Sequence, residues 1–290
     1  MNILIRSASV TAEISTLGAQ LMHLKKDGTE YLWQGDPAYW TGRAPVLFPY
    51  IGRMTQKRYS VGGTTYPMDI HGFAAETEFD VLEQTDSSVT LTMTDSDKTL
   101  AQYPFRFLFR VTFALEGDTL SVGYTVKNRS DGRMYFAVGG HPGFNVPLDP
   151  KLSFTDYRIE FDSPCLPTRI GMSDDCFVTG DDRNTPLRDG TRLDLDHGLF
   201  DDDAIIYKNV AHSVTLKTDR DARSVRVTYP KMGYLGLWHK PKTDAPYLCI
   251  EPWTSLPSRK DVIEDISCQS DMLSLAPGEE YENEWKIAVR

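Results

Sequence analysis

Apolar and polar residues alternate with a period of two along most of the chain. Phe105, Phe107, Phe109, Val111, Phe113 and Leu115 make one face, interleaved with Arg106, Leu108, Arg110, Thr112 and Ala114. Successive side chains of a strand point to opposite faces, so this segment predicts a long half-buried strand. Leu120, Val122, Tyr124 and Val126 repeat the pattern after Glu116-Gly117-Asp118, which reads as a hairpin turn. Val89, Leu91 and Met93 alternate with threonines, and Val225, Val227 and Tyr229 predict a further strand. Tyr281, Trp285, Ile287 and Val289 predict another near the C-terminus, and Lys26-Asp27-Gly28-Thr29 another hairpin. The helical period is almost missing. Ser96 to Gln102 predicts one short helix, capped by Ser96 and stopped by Pro104. Asp36 to Trp40 predicts a single helical turn with Pro37 at its first position. Many short strands at close spacing predict an all-β antiparallel sandwich or barrel. The stretch from Cys165 to His197, rich in Asp, Gly, Pro and Thr, reads as a long loop with short strands. Residues 1–290 are therefore expected to form a single domain.

Composition narrows the partners. The chain has 290 residues, 40% of them hydrophobic and 25% charged, which is enough apolar matter for a sizeable core. A net charge of −10 argues against nucleic acid and anionic membranes, which both select a basic face. It also disfavours a phosphorylated ligand unless a local basic cluster overrides it. The N-terminus turns polar at once, and no apolar run reaches membrane-spanning length, so a cytoplasmic protein is expected. Cys165, Cys176, Cys249 and Cys268 show no zinc spacing and are expected as free thiols. Asn128-Arg129-Ser130 matches a glycosylation sequon that, without an export signal, reads as coincidence.

Five segments depart from plain strand patterning. Pro45 to Arg53 holds an irregular backbone ahead of Arg53, which is otherwise a solvated surface charge. His71-Gly72 permits a tight bend around an imidazole, or a hydrogen-bonded structural histidine. Gly139-Gly140-His141-Pro142-Gly143 spoils sheet regularity around one histidine, as expected where a side chain is aimed at a ligand; a bulge beside a bystander is the alternative. Glu251 puts a carboxylate inside the apolar run Tyr247 to Trp253, which is costly unless the charge is paired, functional or facing water. Asp201, Asp202 and Asp203 precede a strand, either as an acidic loop or as ligand groups, without the spacing of a calcium loop. His23, His197, His212 and His239 read as structural or exposed.

In this order, Pro-x-Leu-Phe-Pro-x-x-Gly-Arg, His-Gly-Phe, Gly-Gly-His-Pro-x-Phe-Asn, Phe-x-x-Asp-Ala and Ile-Glu-Pro-Trp resemble the aldose 1-epimerase superfamily, and within it the LacX-like branch. The resemblance runs from Gly18-Ala19 to the final strand. It implies a galactose mutarotase-like supersandwich of antiparallel sheets with sugar in an open cleft. It implies His141 as general acid and Glu251 as general base. Arg53 and His71 become sugar-binding and electrostatic partners, and Asp203, or Asp202 beside it, a hydroxyl-binding carboxylate. In this branch His-Gly-Phe-Ala is often followed by Arg, whereas this chain has Ala75.

The implied activity is interconversion of the α and β anomers of a hexose. Opening the ring requires a proton on the ring oxygen and removal of one from the C1 hydroxyl. An acid and a base are therefore expected on different sides of the anomeric centre. Trp40, Phe73 and Trp253 are candidates to stack on the sugar, with core packing as the alternative. No metal or organic cofactor is required. A hexose-6-phosphate 1-epimerase would need a phosphate pocket, with Arg53, Lys57 and Arg58 as candidates. A non-catalytic carbohydrate-binding protein on the same fold is the third reading. The sequence does not fix the oligomeric state.

Overall fold

The computed structural model describes residues 1–290. The period-two segments become strands where the pattern places them. Phe107–Glu116 pairs antiparallel with Thr119–Asn128, from Phe107 opposite Asn128 to Glu116 opposite Thr119. Gly117 closes this hairpin at φ +56°, a conformation that favours glycine. Phe107, Phe109, Val111, Phe113 and Leu115 are buried, whereas Arg110, Thr112 and Ala114 are half-buried. The alternation therefore reports one face turned to a core.

Two large sheets carry the fold, and every ladder between their strands is antiparallel. The first contains, in spatial order, Arg192–Asp194, Arg158–Phe161, Ser213–Lys217, Val225–Thr228, Glu280–Val289, Thr119–Asn128, Phe107–Glu116, Ser88–Thr94 and Asp80–Gln84. The second runs Arg183–Asn184, Thr168–Arg169, Ile205–Lys208, Tyr234–Trp238, Tyr247–Trp253, Gly139–Gly140 and Val46–Leu47, with Gly143–Asn145 also paired to Tyr247–Trp253. A smaller sheet of Asn2–Arg6, Val10–Ser15, Gln20–Lys26 and Thr29–Glu30 contains the hairpin at Asp27-Gly28.

The sheets meet through aromatic side chains. Phe48 stacks on Phe109 with ring centroids 4.4 Å apart. The Tyr124 hydroxyl donates to the Gly139 carbonyl at 3.0 Å. One buried apolar cluster of 64 residues runs from Ile3 to Val289 through both sheets. Each fully buried large apolar side chain contributes about 1.5–3 kcal/mol, so this cluster dominates the cohesion of the fold.

The Tyr247–Trp253 strand is buried along its whole length. Leu248 and Ile250 point into the shared core. Tyr247, Cys249, Glu251 and Trp253 alternate with them and point to the opposite face, which irregular segments cover. This double cover explains why the segment reads as a continuous apolar run interrupted by one carboxylate.

Local expectations fare unevenly. A helical turn forms over Asp97–Leu100, and the Ser96 hydroxyl accepts the Thr99 N–H at 3.3 Å. Asp36 to Trp40 is not helical. It is a tight turn closed by a bridge between Asp36 and Trp40, in which Asp36 Oδ1 accepts the Ala38 N–H at 2.8 Å. Asp competes for nearby backbone donors in this way and favours a turn over a helix. Asn128 is fully buried and donates to the carbonyls of Gly132 and Leu275, so the acceptor side chain of the sequon lies inside the fold. All four cysteines are free thiols. No helix is long and apolar enough to cross a membrane.

Candidate active site

The face of the central strand that carries Glu251 and Trp253 forms the floor of a cleft of about 370 Å³, near the lower end of the ~300–1,000 Å³ typical of small-molecule sites. Arg53, His71, His141, Asp202, Asp203 and Glu251 all line it. The acid, base and sugar-binding candidates are therefore brought to one place, from five separated segments. Trp40, Ile70, Met172, Ile206, Trp238 and Trp253 supply apolar walls.

His141 leaves the short strand Gly139–Gly140, and its N–H donates to the Pro45 carbonyl at 3.2 Å. The flanking glycines answer to packing. A Cβ at Gly140 would stand 2.5 Å from the Trp285 ring, and one at Gly139 would stand 2.9 Å from both Ile51 and Trp253. Aromatic surfaces then orient the imidazole. Trp40 stacks on it at 4.9 Å, while Trp238 and His71 meet it edge-on at 5.8 and 5.4 Å.

Glu251 is 1% exposed, and its Oε2 lies 3.2 Å from His141 Nε2. The two atoms are close without being aligned as a hydrogen bond, and both Glu251 Oε2 and His141 Nδ1 are buried without a hydrogen-bond partner. Acid and base candidates are thus neighbours, not groups facing each other across the cleft. The ring oxygen and the C1 hydroxyl share one carbon, so adjacent groups can serve both.

Burial sets the charge state of the pair. It pushes the Glu251 carboxyl well above the usual carboxylate range, helped by the negative charge of Asp203. It pulls His141 well below the usual histidine value, helped by nearby His71. The separation is that of an ion pair, yet enclosure favours the uncharged form of each. We take a neutral imidazole beside a protonated carboxyl as the resting state, because burial is the largest influence on both groups.

His71 sits at φ +64° and Gly72 at φ +76°, where a Cβ on Gly72 would stand 2.3 Å from the Phe48 carbonyl oxygen. This bend aims the imidazole inward. The Gly52 N–H donates to His71 Nδ1 at 3.1 Å, which assigns the ring proton to Nε2 on the cleft side. Burial, and then the Arg53 guanidinium, pull the His71 pKa down to about 4, so a neutral donor is presented at ordinary pH.

Asp203 takes φ +74°. Its Oδ2 accepts the Cys176 thiol at 3.1 Å, and its Oδ1 accepts the Ala204 N–H at 2.8 Å. Asp202 also lines the cleft, but Asp203 is the one whose charge reaches Glu251. Cys176, itself at φ +67°, was not singled out by the sequence, since it belongs to an aperiodic loop. Its thiol is pushed up to about 12 by burial and by Asp203. Trp238, Ile70 and Met172 were missed for the same lack of a local signal.

Other candidates fall elsewhere. Phe73 is 6% exposed and packs among Phe48, Tyr103 and Phe107, so it belongs to the core. Lys57 pairs at 2.7 Å with Asp69, both highly exposed, and neither Lys57 nor Arg58 lines the cleft. Ala75 lies in the turn Ala74–Glu76 outside the cleft, its carbonyl against Gly18. His197 and His239 hydrogen-bond each other at 3.1 Å away from the cleft, and His239 is fully buried.

The fold is an antiparallel β sandwich with an apolar-walled cleft that holds a buried His–Glu pair beside a second histidine, an arginine and two aspartates. The chain matches the family described as Aldose 1-epimerase over residues 1–288, and it belongs to that family. It is 33% identical to Protein LacX, plasmid, of Lactococcus lactis subsp. lactis over 270 residues, 88% of each protein. Its fold superposes on a galactose mutarotase related enzyme from Lactobacillus acidophilus with a TM-score of 0.96 at 32% identity, covering 100% of this chain and 97% of that one. A galactose mutarotase-like protein from Lactobacillus casei ATCC 334 gives 0.94 at 34% identity, with both chains fully covered. The architecture is thus the galactose mutarotase-like supersandwich of antiparallel sheets.

Proposed function

We propose that this protein is an aldose 1-epimerase that interconverts the α and β anomers of an uncharged hexose. The observation that carries the reading is the buried contact of His141 Nε2 and Glu251 Oε2, 3.2 Å apart on the cleft floor. Binding alone does not require two unpartnered titratable groups to be enclosed together, whereas proton transfer does.

The proton count is simple. Passage of the Glu251 proton to His141 across their 3.2 Å contact gives an imidazolium–carboxylate pair; from it His141 gives its proton to the ring oxygen and Glu251 takes the C1 hydroxyl proton. The C1–ring oxygen bond breaks and C1 becomes a carbonyl. The pair is left as neutral imidazole and protonated carboxyl, the form that enclosure favours. After rotation about C1–C2, Glu251 returns its proton to the carbonyl oxygen and His141 recovers one from the attacking hydroxyl. Each turnover therefore uses both forms of the pair, and no proton is exchanged with solvent. His71, Arg53 and Asp203 hold hydroxyls and the developing charge. Trp40, Trp238 and Trp253 offer flat faces for the C–H surface of the ring.

The charge of the cleft speaks against a sugar phosphate. Arg53 is the one lysine or arginine among its lining residues, set against Asp202 and Asp203. A phosphate of about −1.5 to −2 charge would meet net repulsion there.

The test is polarimetry of freshly dissolved α-galactose and α-glucose. Wild type should accelerate mutarotation, and His141→Asn and Glu251→Gln should each lose about 100-fold or more. Hexose 6-phosphate should compete more weakly than free hexose. Well-folded wild type that accelerates neither sugar would overturn the reading.

A further inference from the structure

Cys249 takes no part in that chemistry, yet it stands beside both groups that do. It lies two residues before Glu251 on the central strand, so their side chains share a face, and it is fully buried. His141, Cys249 and Glu251 bring an imidazole nitrogen, the thiol sulfur and a carboxylate oxygen within 4.8 Å of one another. One nitrogen, one sulfur and one oxygen suit a borderline-soft divalent ion such as zinc.

The geometry is close to what such an ion needs. Zinc bonds of about 2.0–2.3 Å in a tetrahedron put ligand atoms roughly 3.3–3.7 Å apart. His141 and Glu251 already stand at 3.2 Å, so the sulfur must close by no more than about 1.5 Å, within reach of a side-chain rotation. An unpartnered buried atom is an independent sign. Glu251 Oε2, the oxygen that faces His141 Nε2, makes no hydrogen bond on a residue 1% exposed. Asp202 and Asp203 outweigh Arg53 in the cleft, which favours a cation.

We infer that His141, Cys249 and Glu251 form a binding site for a thiophilic divalent cation whose occupation shuts the catalytic pair off. The thiol loses its proton and binds as thiolate. Three protein ligands leave a fourth position for water or a sugar hydroxyl. The ion takes the lone pairs that proton transfer uses, so the inhibition rests on the acid–base reading above, while the binding does not.

Cobalt(II) titration of the full chain separates the two. One equivalent should produce a thiolate-to-cobalt charge-transfer band, lost in Cys249→Ala and kept in Cys176→Ala, whose thiol lies elsewhere in the cleft. Zinc should slow mutarotation by wild type, and Cys249→Ala should need at least tenfold more zinc for the same inhibition. The wild-type spectrum decides the matter even if Cys249→Ala folds poorly: no band in wild type overturns the site. A band that survives Cys249→Ala or vanishes in Cys176→Ala, or equal zinc sensitivity of wild type and Cys249→Ala, overturns it too. A cobalt band on a protein that leaves sugars unchanged would uphold the site and sink only the proposed activity.

Discussion

Gly236→Ala tests whether the placement of Glu251, not its mere presence, governs turnover. Gly236 lies directly opposite Glu251 on the neighbouring Tyr234–Trp238 strand. A Cβ there would stand 3.2 Å from Glu251 Cβ, and 3.2 and 3.3 Å from two atoms of the Trp253 ring. Carbon atoms pack best at about 3.5–4.0 Å, so Glu251 must retreat by roughly 0.3–0.8 Å. A misplacement of about 1 Å at a reacting group can cost 100-fold, which predicts a loss of about 10- to 100-fold in kcat. Stability should change less. Overpacking costs about 1–3 kcal/mol, and replacing a strand glycine returns roughly 0.5–1 kcal/mol. The assay is polarimetric mutarotation beside thermal unfolding. Gly233→Ala is the control, because a Cβ at that position meets nothing within 4 Å. Wild-type turnover in a folded Gly236→Ala protein, or equal losses in both variants, would refute the dependence on Glu251 position.

Two further outcomes follow from the electrostatics. Asp203→Asn should raise KM more than Asp202→Asn. By removing the charge that raises the Glu251 pKa, it should also move the corresponding limb of the pH–rate profile to lower pH, whereas Asp202→Asn should leave that limb in place. His71, held neutral in the fold with its pKa near 4 against 6.5 unfolded, favours the folded state fully above pH 6.5. That contribution is lost as pH falls from 6.5 towards 4, because the unfolded chain takes up the proton first. Urea unfolding of wild type and His71→Gln across this window should therefore converge at low pH, and parallel curves would contradict a neutral His71.

The strands were legible because one face of each carries a visible load. Phe107 to Leu115 alternate in sequence and in burial alike. Glu251 stood out for the opposite reason, as the lone carboxylate in a strand covered on both faces. His141 was marked by its glycines, and the structure supplies the cause: Trp285, Trp253 and Ile51 occupy the space their side chains would take. In both cases the local rule that the sequence breaks is broken at the cleft.

What the sequence hid is what only tertiary packing decides. Phe73 follows the His71-Gly72 bend, where a sugar-stacking residue is expected, but the turn at Gly72 sends it into the Phe48 cluster. Among three consecutive aspartates no period tells which one turns inward. Asp202 and Asp203 both line the cleft, and Asp203 is held there at positive φ by the Cys176 thiol, which arrives from an aperiodic loop. The protonation of the pair was equally invisible. His141 was expected to act as an acid held protonated, yet the aromatic enclosure that orients it also expels charge from it. That same enclosure raises Glu251, so burial favours the uncharged form of both residues. A sequence can name an acid and a base, but which of them holds the proton depends on the walls around them.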